Sequence, residues 1–511
     1  MKTLYLLSLV SILSLMSCKQ EQPIEIGYSL ADTALIPKPL EINPTHKAFG
    51  LNSETTISYK GADLKTQAEL LQGALKDAFG LNLMVTDQKD SSNSINLAVG
   101  IEDTNLEAYR IDINPSLIEL KGASVAGVSR GIQTIRQLVS VELVLGRENT
   151  RAIPTGTISD KPAMEYRGAM LDVARHFFSV DEVKRYIDQL AYYKINKFHM
   201  HLTDDQGWRI EIKSWPKLTT VGGSTEVGGE SGGFYTQEEF KDLVAYAADR
   251  HIEIIPEVDM PGHTNAASVS YPQLNGNGKT PELYEGMEVG FSTFDTHSEK
   301  VYQFIDDVVG EIAAISPSPY FHLGGDESHS TKKEDFIYFI NRVSKIVSKH
   351  DKKVIGWDEI AHADVPSPAV AQYWASNENA SLAAEKGLKV LLSPAKKIYL
   401  DMQYDTQSPY GLHWAAYVPV KDAYNWDPYS YANIDESAIF GMEAPLWSET
   451  IFDTQSLEYL AFPRVLAVAE LAWMPKGTTL WDDFKKRLEA QSHYFKREGI
   501  NYYASPDINW E

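Results

Sequence analysis

Residues 166–205 read YRGAMLDVARHFFSVDEVKRYIDQLAYYKINKFHMHLTDD. Two apolar runs, YRGAMLDV and KFHMHLTD, bracket a segment with helical spacing, which predicts a strand, a helix and a second strand. Ser179 and Glu182 form the capping box that opens the helix. Val183, Tyr186, Ile187, Leu190 and Tyr193 then fall on one stripe of it.

Downstream the same rhythm repeats through IEIIPEVD, YFHLGGDE, KVIGWDE, AVAQYW, KVLLSP and GMEAPLW, which makes eight strand candidates. Thr236/Glu239 and Thr331/Glu334 repeat the capping box. Eight strands over about 280 residues predict an α/β fold, a (β/α)8 TIM barrel occupying 156–511. A doubly wound open sheet is the alternative, and no glycine-rich phosphate loop supports it.

Upstream, residues 34–155 read as a small α+β domain. TQAELLQGALKDAFG is a helix that ends at Gly80, and SVAGVSRGIQTIRQLVS is a second. INLAVG, AYRIDI and LIELKG read as short strands. No catalytic grouping occurs there, so a supporting role is expected. The first residues, MKTLYLLSLVSILSLMSCKQEQ, place Lys2 before a short apolar run, as a secretory signal does. The run ends in LMSC, which resembles a bacterial lipobox with Cys18 as the acylated residue. The expectation is a signal peptide over 1–17, a tether over 18–33 and a lipid anchor at the bacterial cell envelope, on the periplasmic side or the outer-membrane surface.

The formal net charge of −23 argues against a nucleic-acid partner, which needs clustered Lys and Arg. The 10 Trp and 27 Tyr point elsewhere, because flat aromatic faces suit sugar rings as well as cores. A barrel carries its chemistry at the C-terminal ends of its strands. The residues there are Asp172 and Arg175, Asp204 and Asp205, Asp259 and His263, Asp326 and Glu327, Trp357, Trp374, then Trp447 and Glu449. The seventh strand supplies Tyr399 and Asp401 slightly later. Acids and aromatics around one mouth describe a carbohydrate site.

Asp326 and Glu327 are adjacent, after Gly324 and Gly325, where the backbone is free to bend. Two carboxyls held close seldom ionise together, so one keeps its proton near neutral pH. That suits acid catalysis of glycoside cleavage. A retaining pair usually comes from different strands, about 5 Å apart. Adjacent residues suit better a division of labour in which one protonates and its neighbour positions the substrate.

LDVARHF, HLTDDQGWRIEI, PEVDMPGHTNAA, HLGGDESH, YLDMQY and EAPLWSE together resemble the family 20 glycoside hydrolases, the β-N-acetylhexosaminidases, over about residues 34–505. The resemblance implies an exo-acting, retaining enzyme that removes terminal GlcNAc or GalNAc from glycans and glycoconjugates. Its nucleophile is the substrate's own 2-acetamido oxygen, which forms an oxazolinium intermediate. Glu327 is similar to the general acid/base, Asp326 to the residue that orients the acetamido group, and Tyr399 to the hydroxyl on its other side. Asp204 and His263 resemble a relay toward Glu327, with Asp259 orienting His263 from within the site. Arg175, Asp401 and Glu449 resemble partners of the sugar hydroxyls; Trp357, Trp374 and Trp447 resemble the walls, with Trp414 a further one. Asp205 reads as a pin for its loop.

His199 and His201 share a strand face, as two metal ligands would. Core histidines satisfied by neighbours are the favoured reading, and neither metal nor cofactor is expected. Two other functions remain open on residues alone: a double-displacement glycosidase with Asp326 as nucleophile, and a catalytically dead, glycan-binding surface lipoprotein. The stretches 222–235 and 275–290 are expected to rim the pocket.

Overall fold

The computed structural model describes residues 28–89, 92–140, 144–145, 150–276, 278–279 and 281–510. The expected signal peptide, Cys18 and the tether as far as residue 27 lie outside them. Among the described residues no helix is long and apolar enough to cross a membrane.

Each of the eight apolar runs is a strand: β1 (Tyr166–Asp172), β2 (Lys197–His201), β3 (Glu253–Glu257), β4 (Tyr320–His322), β5 (Lys353–Trp357), β6 (Val370–Tyr373), β7 (Lys389–Leu392) and β8 (Ile439–Leu446). They close into a parallel barrel, with β8 returning to β1 from Gly441 opposite Tyr166 to Leu446 opposite Leu171. Helices cover it. In helix Val180–Tyr192, the Ser179 hydroxyl accepts from Glu182 N, and Glu182 Oε2 accepts from Ser179 N at 2.9 Å. Such a cap is worth about 1 kcal/mol. Burying Val183, Ile187 and Leu190 against the barrel adds roughly 1.5–3 kcal/mol each.

Thr236 and Glu239 form the same box, but Thr331 and Glu334 do not. Helix Lys333–Lys349 begins at Lys332 without a side-chain cap. The Thr331 hydroxyl is instead engaged, at 2.7 Å each, by those of Ser328 and Thr293, which ties down the loop after β4. A hydroxyl committed to tertiary bonds leaves the helix end uncapped.

Pleating turns every second strand residue inward. At the barrel's base these are apolar: Tyr166, Ile255, Ile355, Val370 and Leu391 form one cluster. Two residues further along, the same strands contribute Glu257, Trp357, Gln372 and Ser393, joined by hydrogen bonds. The interior thus turns polar toward the mouth.

The small domain is one mixed sheet, ordered Glu41–Leu51, Thr150–Asp160, Tyr109–Asn114, Leu117–Gly122, Ser94–Val99, Thr56–Lys60 and Met84–Thr86. Both expected helices are present, as Lys65–Phe79 and Val125–Ser140. The boundary expected between 155 and 156 falls inside a strand, for Asp160 still pairs with Tyr109. A strand within a sheet cannot be divided between domains, so the sheet's own end at Asp160 marks the limit. Leu30, within the expected tether, is buried in this domain's core. Glu107 joins the two domains. It lies 2.7 Å from Arg130 and 2.6 Å from Arg167 at the base of β1.

Candidate active site

The loop after β4 shows how neighbouring carboxyls come to share one wall. Gly324 and Gly325 adopt φ of 69° and 104°, and Glu327 itself adopts 41°. A Cβ on Gly324 would stand 2.6 Å from the Asp259 Cα and collide with its carboxylate, so only glycine fits. His263, in the loop after β3, is also left-handed, at 55°. Such backbone at a non-glycine residue costs about 1–3 kcal/mol and persists only where surrounding contacts enforce it.

Those contacts converge. His263 Nε2 stands 3.8 Å from Asp326 Oδ2 and 3.8 Å from Glu327 Oε2. Its Nδ1 is 3.1 Å from Asp204 Oδ1. Burial alone would favour a neutral ring, but Asp204, Asp326 and Asp259 outweigh it and hold His263 well above its ordinary range. The surrounding carboxylates thus favour the imidazolium form. Burial, and then the charge of Asp326, push the Glu327 carboxyl above its ordinary value. Glu327 therefore binds its proton more tightly than a free carboxyl does, beside a His263 ring placed to stabilise its anion.

Asp259 lies behind Asp326 rather than on the cavity surface. It is 2% exposed and accepts from Gly325 N at 2.9 Å. Burial and the facing Asp326 raise its proton affinity far above the carboxylate norm. Asp172 is also a scaffold residue: it accepts from Ala174 N, Arg175 N and Ser448 N, stitching the loops after β1 and β8. Asp205 accepts from Asn265 N at 2.9 Å and from the Ser292 hydroxyl at 2.5 Å, which pins two loops together.

A cavity of about 170 Å³ opens over this wall, lined by Arg175, Glu327, Trp374, Tyr399, Trp447 and Glu449 among others. The Arg175 guanidinium lies 4.9 Å from the centre of the Trp447 ring and 2.9 Å from Asp204. Asp401 is 2% exposed and both its oxygens lack a partner. Burial and the neighbouring Glu449 raise its proton affinity strongly. The Tyr399 hydroxyl is kept neutral by burial and by Asp326 and Asp401. Of the expected walls, Trp447 and Trp374 line the cavity and Trp414, 56% exposed, stands at its lip. Trp357 is fully buried beneath Trp447, with ring centres 5.6 Å apart, and forms the floor's support. Met287 and Val289 complete the rim from the 275–290 segment. The 222–235 segment instead backs the loop after β1, where Val227 N donates to Arg175 O.

Glu359 escaped the sequence reading. It follows Asp358 after β5, accepts from Trp374 Nε1 at 3.3 Å and is raised by burial, Asp358 and Asp326. A second acid pair directly after a strand was the available signal. His199 and His201 are core histidines bound to Glu257, Glu443 and Asp204. His199 and His322 also come near Glu257 as a possible ligand set, but their rings stack at 4.4 Å and 29°. Both nitrogens face the Glu257 carboxylate, His199 Nε2 at 3.0 Å and His322 Nδ1 at 2.9 Å.

A parallel barrel with two acids facing one histidine and an aromatic, acid-lined cavity at its mouth is an arrangement suited to a glycoside hydrolase. Residues 164–476 match the profile of the glycosyl hydrolase family 20 catalytic domain, and 32–161 match that family's domain 2. The chain belongs to glycosyl hydrolase family 20. It is 36% identical to the β-N-acetylhexosaminidase of Cellulomonas fimi, over 94% of this chain and 98% of that one. The Streptomyces plicatus N-acetyl-β-hexosaminidase, solved in complex with Thio-NAglucal, superposes with a TM-score of 0.91 at 44% identity, covering 95% and 99% of the two chains. The exo β-N-acetylglucosaminidase of Vibrio harveyi, solved with N-acetylglucosamine, gives 0.83 at 32%, covering 95% and 81%.

Proposed function

We propose that this enzyme is an exo-acting, retaining β-N-acetylhexosaminidase that removes terminal GlcNAc or GalNAc from oligosaccharides and glycoconjugates through an oxazolinium intermediate. One observation carries the reading. Arg175 Nε, His263 Nε2, Asp326 Oδ1 and both Asp401 oxygens are buried polar atoms without a hydrogen-bond partner, all within this one site. Leaving a buried polar group unmet costs about 1–3 kcal/mol each, so the site is built to receive a polyhydroxylated ligand. Asp401 and Arg175 are 2% and 3% exposed, and partners so enclosed suit a chain terminus rather than a chain passing through.

In this reading Glu327 gives its proton to the glycosidic oxygen as the C1–O bond breaks and the electron pair leaves with the aglycone. The substrate's acetamido oxygen bonds to C1. The Asp326 carboxylate steadies positive charge developing on the acetamido nitrogen, and Tyr399 holds the group from the other side. Water then attacks C1 as the bond from C1 to the acetamido oxygen breaks and its electron pair returns to the amide, while the Glu327 carboxylate takes the proton of the water. Asp326 and Glu327 face the same His263 nitrogen at equal distance, which suits two acids on one wall better than a nucleophile set across the ring from its acid. Rates on paired aryl glycosides test this. A 2-acetamido glycoside turned over with the plain glucoside inert supports it; comparable rates refute it, and binding without turnover favours a glycan-binding protein.

The cysteine at 18 gives the proposed location, a lipid anchor at the bacterial cell envelope. Metabolic labelling with a fatty-acid analogue should mark the wild type and spare Cys18→Ala. An unlabelled wild type rejects the anchor.

A further inference from the structure

Glu257, fully buried on β3, is met by three imidazoles: His201 Nδ1 at 2.5 Å, His322 Nδ1 at 2.9 Å and His199 Nε2 at 3.0 Å. Trp357 Nε1 donates to the same carboxylate at 3.0 Å. His201 carries the connection outward. Its Nε2 lies 2.9 Å from Asp204 Oδ2, while Asp204 Oδ1 lies 3.1 Å from His263 Nδ1. His263 then faces Asp326 and Glu327.

The signs alternate along this path. Burial favours a neutral Glu257, yet His201, His322 and His199 hold it well below the usual carboxylate range. Burial likewise favours a neutral His201, yet Glu257, Asp204 and Asp172 hold it well above its own. Asp204 stays anionic against burial because Arg175, His263 and His201 surround it. From Glu257 to His263 every residue is 2% exposed or less, so water does little to weaken the coupling.

We propose that Glu257 and His201 are positioning residues for catalysis: acting through Asp204, they fix the ring orientation and positive charge of His263, and so the proton exchange of Glu327. The inference rests on the acid/base role proposed for Glu327. An N–H of His201 on Asp204 Oδ2 leaves Oδ1 for His263 Nδ1–H, which turns the Nε2–H of His263 toward the acids. When Glu327 surrenders its proton to the leaving oxygen, a second anion forms beside Asp326, and the fixed cation offsets it. No proton leaves the path itself. The groups facing His263 are Asp204, Asp205, Asp259, Asp326 and Glu327. Those facing Glu327 are Asp326, His263, Arg175 and His329.

The test is Glu257→Gln on a series of N-acetyl-β-glucosaminides running from dinitrophenyl to simple alkyl leaving groups. A positioning role for the acid predicts little change with dinitrophenol, which departs unaided, and about a tenfold or greater loss with an alcohol, at unchanged KM. The alkaline limb of kcat/KM moves to higher pH, because a His263 ring that holds its positive charge less firmly no longer lowers the proton affinity of Glu327 as much. An equal loss for every leaving group, or no loss with an unmoved limb, overturns the proposal. Imidazole 15N shifts of the wild-type protein test it without any variant: both nitrogens of His201 and His263 should carry protons at neutral pH. A neutral ring at either position overturns it. A wild type inert on the whole series overturns the proposed function instead.

Discussion

Nη2 of Arg175 lies 2.9 Å from Oδ2 of Asp204, the carboxylate whose other oxygen is 3.1 Å from His263 Nδ1. One side chain thus ties the proposed sugar grip to the proposed proton relay. Asp204→Asn keeps the shape and removes the charge, so it should raise KM through Arg175 and lower kcat through His263. Michaelis parameters decide: a change in only one of them would separate the two functions.

Glu327→Gln keeps the cavity but removes the proton donor. We expect kcat to fall by about 10²–10⁴-fold, with inhibitor affinity largely retained. Isothermal titration beside steady-state kinetics checks both halves; loss of binding with intact turnover would place the acid elsewhere.

The pH profile follows from the sign of the Glu327 shift. Its proton affinity is raised, so the acid form persists above the ordinary carboxylate value and kcat/KM falls as pH rises through the raised value. Asp326 contributes to that rise. Asp326→Asn should therefore bring the alkaline limb to lower pH as well as cut kcat, and a limb moving to higher pH would reverse the assignment.

Gly324→Ala introduces a Cβ that collides with Asp259, at a φ of 69°. The loop carrying both acids must shift. Activity should drop by about 10²-fold, since small misplacements of catalytic groups are costly, with a lowered Tm. Wild-type kinetics in this variant would show that the tight approach carries no function.

The barrel was readable because its strands are apolar runs separated by capped, amphipathic helices, a local signal that tertiary contacts did not override. Residues at strand ends were found for the same reason. The hub at Glu257 was not, although an acid inside the apolar run IEIIPEVD is a burial that needs partners, and His199 and His201 were the partners at hand. Trp357 was placed on a wall because strand position tells which way a side chain points, not how deep it lies. The left-handed backbone of His263 and Glu327 leaves no compositional trace at non-glycine residues. Thr331 matches a capping pattern, but its hydroxyl is taken by Ser328 and by Thr293, the latter 38 residues away.

Attack by the substrate's own amide is tested most directly by aryl glycosides bearing N-acetyl, N-fluoroacetyl, N-difluoroacetyl and N-trifluoroacetyl groups. Each fluorine weakens the carbonyl oxygen as a nucleophile while leaving the glycosidic bond and leaving group unchanged. With Asp326 steadying an attacking acetamide, kcat/KM should fall steeply and monotonically along the series. A flat series would mean that a protein group or water attacks C1, and would contradict it.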